Sequence, residues 1–330
     1  MKKRPLGIVS DFVVERLPRE LGSSGFSATV TTLLRNAPIE CRMAFHDKES
    51  RGIASLDLKM IEAALVHTGA EIPFSLALLV DTFSISSIRA LTYEEIVLVN
   101  PHDDMRTFTG GDIGETEAAF YNMHRTIEIQ LVYAIASMRT AITEIQHGDA
   151  PAATHALLHA VEQVKGLPGM VQALGLMTSG HFGVFREYLK SHPTRDLKGP
   201  SGAFSAGLPT LEILFRGNEL SEKYRGYLRT NWEYFPLRGR NELAHALETK
   251  ENSLIAEWRV RGKDPLLKPV IDALGEMFNT FRRAHYNAVG RQLPEALKDA
   301  TSGTAGEAKP GEFLRERMKE TRYGGSREES

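Results

Sequence analysis

Residues 270–294 read VIDALGEMFNTFRRAHYNAVGRQLP. Val270, Leu274, Met277, Phe278, Phe281, Ala288 and Val289 recur at the spacing of a buried helical stripe, so one amphipathic helix is expected here. His285 falls on that stripe, one turn past Phe281, with Arg282, Arg283 and Arg291 around it. A histidine on an apolar face is ordinarily a core residue hydrogen-bonded to a neighbour. The same placement is how a helix offers a neutral imidazole to a haem iron, flanking arginines meeting propionates through charge-assisted hydrogen bonds. Spacing alone leaves both readings open.

Working outward, the helical period dominates. Residues 55–68 predict a helix capped by Ser55, and 73–83 a helix opened by Pro73 and apolar nearly all round, hence buried. Residues 93–101 end at a proline before the polar loop 102–112, and the IVLV run within them alternates too poorly for a strand. A long helix is expected over 114–146, with Phe120, Met123, Ile127, Leu131, Ala134, Met138, Ile142 and Ile145 buried and His124 and Glu128 beside that stripe. Further helices are expected over 155–166, 168–177, 182–190, 209–217 (Pro209 to Gly217), 221–236 and 239–259, and 27–37 reads as a short one. The expectation is an all-α, single-domain bundle around a central cavity, spanning 1–317, with a disordered C-terminal tail over 318–330.

Composition bounds the function. A formal charge of −2 over 330 residues gives no field favouring nucleic acid or an anionic membrane. No apolar run is long enough to span a bilayer, and the basic N-terminus lacks the apolar segment of a secretion signal. The single cysteine, Cys41, excludes an intramolecular disulfide framework and thiolate-rich metal sites; it reads as a small buried hydrophobe in a reducing, cytoplasmic setting.

The stretch 191–208 is the longest interior region without periodicity, and such loops are often functional. Within it, 199–207 (GPSGAFSAG) combines glycines, which admit close backbone approach, with serines that supply adaptable hydrogen bonds. Two metal motifs are weaker. His155 and His159 lie one turn apart without a third ligand and read as exposed helix histidines. Glu242 and His245 form half of a di-iron carboxylate signature whose other half is missing.

FRRAHYNAVGRQL followed by SGTAGEAKPGEFL resembles the C-terminal signature of the tryptophan 2,3-dioxygenase superfamily. The loop 199–207 followed by LEILFRG is similar to the Ser-Gly-Phe-Gln-Ser and Gly-Ser-Ala-Gly-Gln-Ser loops of tryptophan and indoleamine dioxygenases, with Phe204 beside Ser205 where they carry glutamine. Asn100-Pro101 followed by Arg106-Thr107-Phe108-Thr109-Gly110 resembles the monodechloroaminopyrrolnitrin synthase branch, whose members are haem proteins of antibiotic pathways.

The resemblance implies a b-type haem with its iron held by His285 and contacts from Arg282, Arg283, Ser201 and Gly202. It implies catalytic roles for His124, in the HRTIEIQL string, and Ser205, and substrate contacts from Arg106, Phe204, Arg216 and Thr304. A haem-dependent oxygenase or oxidase is then expected. Its substrate would be a free, tryptophan-related amino acid or amine, with O2 or peroxide as co-substrate, and the chain would form a homodimer. A haem- or ligand-binding protein without turnover is the alternative.

Overall fold

A computed structural model describes residues 4–40, 47–190, 197–298 and 309–320, all-helical without a β-strand among them. The principal helices are α1 (Phe26–Glu40), α2 (Lys48–His67), α3 (Phe74–Phe83), α4 (Gly111–His147), α5 (Ala150–Val164), α6 (Leu167–Leu176), α7 (Ser179–Arg186), α8 (Gly207–Arg216), α9 (Glu222–Thr230), α10 (Leu237–Glu248), α11 (Leu254–Val260), α12 (Lys268–Gln292) and α13 (Pro310–Glu320). Two compact units emerge. The first holds residues 1–125 and 177–204, the second 126–176 and 205–302 with the C-terminal helix. α4 supplies its first part to one unit and the rest to the other. Cys41, Thr304 and positions 321–330 lie outside the described residues, and α13 runs through Glu320, past the expected start of the tail.

The first unit is built on α2. Asp47, not Ser55, caps it: the Asp47 carboxylate accepts the Ser50 amide hydrogen bond at 2.7 Å, and the helix begins seven residues early. Ser55 is instead fully buried and donates to Glu95. Residues 52–62 of α2 are buried on every face, so its charged side chains carry partners with them. Lys59 meets Glu95 at 2.8 Å, and Asp57 meets Arg106 at 2.8 Å. α3 packs against α2, yet Phe74 is 83% and Leu78 56% exposed, so the all-round apolar character of 73–83 does not mean burial. Residues Glu94–Val99, the ambiguous IVLV run, form a π-helical turn against α2.

The second unit is organised by α12, which runs Lys268–Gln292 with Val270, Leu274, Met277, Phe278, Phe281 and Ala288 buried as the stripe requires. It packs along α6 and α5. The approach to α6 depends on Gly175, where a Cβ would stand 3.0 Å from the Ala288 Cα. α8 ends at Gly217 in the left-handed region (φ 56°), where a Cβ would meet the Lys250 carbonyl at 2.0 Å. The expected single helix over 239–259 is two, α10 and α11, separated by a 3-10 turn at Lys250–Asn252 that approaches this cap.

Candidate functional site

In the first unit the side chain of interest is His124. Its Nδ1 lies 2.9 Å from the Phe120 carbonyl oxygen, which only accepts, so Nδ1 carries the proton and Nε2 the lone pair. Burial pushes the imidazole below its ordinary value, which keeps this tautomer neutral near pH 7. Phe120 (4.4 Å between ring centroids) and Tyr93 (6.1 Å) flank it, and Phe182 and Phe185 extend the aromatic wall beyond Phe120. On the open side stands Gly202: a Cβ there would lie 3.1 Å from Nε2. Two residues singled out separately in sequence are thus brought together, the glycine leaving room at the basic nitrogen.

A depressed folded-state pKa contributes stability above the unfolded value of 6.5 that is lost as pH falls through the folded value. The melting temperature should therefore decline as pH is lowered from 6.5, and His124→Asn should shrink that decline. Equal pH profiles for the two proteins would show that His124 does not titrate as its burial requires.

The 199–207 segment is compact at its start. Ser201 Oγ accepts the Ala203 amide at 3.2 Å, closing a short turn, and Phe204 is buried in the core. Ser201 and Phe204 are thereby occupied in holding the loop, not presented as open walls. Gly199 and Pro200 line a cavity of about 240 Å³ together with His67 and Tyr188, whose rings lie 4.3 Å apart.

Arg106 stands elsewhere than expected. Its guanidinium is fully buried, donating to Asp57 at 2.8 Å and to the Asp104 carbonyl at 2.6 Å, and Asn100 brackets its backbone from both sides. It is a structural cation, not an open anchor for a substrate carboxylate. Beside it Glu117 accepts from the Phe108 and Thr109 amides and from the Thr109 and Tyr121 hydroxyls. Burial nevertheless pushes its carboxyl up to about 7. The 100–110 string is therefore a clasp, and sequence reasoning missed its acidic partners. A charged residue inside the apolar run of α2, Asp57, was the available signal.

In the second unit Ser205 precedes α8. Its hydroxyl oxygen is buried and has no hydrogen-bond partner among the described residues. Gly207 follows, where a Cβ would meet Leu131 at 2.9 Å and Glu128 at 3.2 Å.

At the centre of α8, Glu212 is fully buried between Arg282 (2.7 Å) and Arg317 (2.6 Å). Burial alone would raise its carboxyl; Arg282, Arg317 and then Arg216 overcome that and hold it below the ordinary range. Arg282 uses Nη2 on Glu212 while its Nε is buried with no partner among the described residues. Arg283, expected beside a propionate, is exposed and pairs with Glu276 at 2.9 Å. His285 is half-buried on the α12 stripe, 6.3 Å from the Phe281 ring.

The Glu242 carboxylate pairs with Arg139 at 2.9 Å on the surface, and no cluster of three or more metal-ligating side chains occurs among the described residues. No protein-family profile matches the chain, and no curated protein does.

Proposed function

We propose that the chain is a haem-dependent oxygenase or oxidase of the tryptophan/indoleamine dioxygenase kind. It acts on a free, tryptophan-related amino acid or amine in specialised metabolism of the antibiotic type, with O2 or peroxide as co-substrate. The observation that carries this reading is that two of the second unit's buried polar atoms without a hydrogen-bond partner among the described residues, Ser205 Oγ and Arg282 Nε, fall in the strings that resemble the dioxygenases. Leaving a buried donor or acceptor unmade costs about 1–3 kcal/mol. Folds retain that cost where a ligand repays it, and both atoms belong to strings that resemble the dioxygenase superfamily.

The residues fit a b-type haem. His285 offers an imidazole on an apolar helix face, and Arg282 Nε is a buried donor suited to a carboxylate. Bound there, the haem would supply the redox-active iron at which the oxidant reacts. The chain itself contributes placement. His285 would hold the group, Arg282 would fix an acidic substituent, and Ser205 Oγ would donate to or accept from cofactor or substrate. In the first unit His124 Nε2 is a neutral base able to take a proton from an amine or indole nitrogen.

The test is Ser205→Ala. In the ligand-free protein, removing a stranded hydroxyl should leave stability unchanged or raise it slightly. Affinity in a haem titration followed by the Soret band, or in a tryptophan titration of the haem-loaded protein, should fall about tenfold, the ~1.4 kcal/mol of one hydrogen bond. A variant that loses stability while both affinities stay unchanged would make Ser205 purely structural and remove the main support for the reading.

A further inference from the structure

α5 presents a histidine pair that the proposed haem chemistry does not use. The helix is N-capped by Asp149, which accepts the Ala152 amide at 2.9 Å. Ala153, Ala156, Leu157, Ala160 and Val164 form its buried face, and the helix packs against α12 in the same unit. His155 and His159 project from the exposed side. Their ring centroids are 4.6 Å apart with planes at 79°, and neither imidazole has a hydrogen bond or ion pair among the described residues.

That separation has a chemical meaning. A metal–nitrogen bond of about 2.1 Å puts an imidazole centroid about 3.2 Å from the ion. Two such rings at right angles about one ion have centroids about 4.5 Å apart, and at the tetrahedral angle about 5.2 Å apart. The observed spacing matches the first arrangement. The helix is already held by its buried face, so chelation need not order it, and the free imidazoles need break no existing bond. On the following turn of the helix Glu162 is paired with Lys165 at 2.6 Å.

The geometry points to His155 and His159 as a two-imidazole chelate site for a tetragonal divalent ion, Cu(II) or Ni(II). Such ions prefer nitrogen donors in square-planar or tetragonal positions, and Cu(II) tops the affinity order of the divalent series.

The experiment titrates the untagged full chain with Cu(II) in a buffer that does not chelate the metal. Binding is followed by calorimetry and by the nitrogen hyperfine pattern in electron paramagnetic resonance. The proposal expects one copper with two imidazole nitrogens per chain. His155→Gln and His159→Gln should each weaken it at least tenfold, and the double variant should lose it. Circular dichroism of all three variants should match the parent, because both side chains are exposed. The same stoichiometry and hyperfine pattern in the double variant would overturn the assignment, as would single variants that bind like the parent. Haem loading is measured on the same samples; its loss or retention bears on the haem reading alone.

Discussion

Replacing His285 by alanine should abolish the Soret band of the purified protein, or leave a haem that exchanges freely and is recovered with added imidazole. The expectation rests on the proposed haem reading and on two considerations. His285 lies on the same helix face as Phe281, and a haem iron held by a single protein imidazole loses its covalent anchor with that residue. The fold should survive. His285 is half-buried, and α12 keeps its stripe of Leu274, Met277, Phe278 and Ala288 together with the Gly175 approach. Far-UV circular dichroism should therefore be unchanged while the visible spectrum collapses. His124→Ala is the companion measurement. On the proposed reading it removes a base and not the iron ligand, so the Soret band should persist while turnover of a tryptophan-related substrate falls. An unaltered five- or six-coordinate spectrum in the His285 variant would end the assignment of that residue as ligand.

What could be read in the chain, and what could not, follows the range of the physics involved. The α12 stripe, the Gly217 stop and the all-helical class are local: a period of 3.6 and a glycine at a left-handed cap are written in consecutive residues. The start of α2 was misplaced because Ser55 looks like a cap, whereas the real one, Asp47, sits before a polar first turn with no apolar period to announce it. The break between α10 and α11 was missed; at that turn the Lys250 carbonyl lies against Gly217, a contact that the segment itself does not announce. The site divides in the same way. Gly202 and Ser205 were legible as loop residues, but that Gly202 faces His124 and that Ser205 Oγ is stranded are tertiary facts. Arg283 and Arg282 looked alike as neighbours in sequence. A rotation of one residue about the helix put the first in solvent beside Glu276 and the second on buried Glu212.

Arg106 offers the sharpest separation of a structural role from a binding one. Its side chain and that of Asp57 are both fully buried, Asp57 also accepts from Ser10 Oγ at 2.6 Å, and Arg4 joins the same cluster through Asp104 at 2.7 Å. The pair ties the N-terminal segment and the 100–106 loop to α2 across 49 residues of sequence. Removing one member leaves the other as a buried, uncompensated charge, which costs about 3–5 kcal/mol. Against a total stability of about 5–15 kcal/mol, Arg106→Ala should lower the urea midpoint severely or leave the protein largely unfolded at 37 °C. Asp57→Ala should do the same. Replacing both by apolar residues of similar volume, Asp57→Leu with Arg106→Met, should recover much of the loss, because the desolvation cost leaves together with the attraction. An arginine that anchored a substrate carboxylate would behave differently. Arg106→Ala would then melt like the parent, bind substrate more weakly, and gain nothing from a change at Asp57. An unchanged urea midpoint in Arg106→Ala, with reduced affinity for an amino acid, would return Arg106 to the binding site.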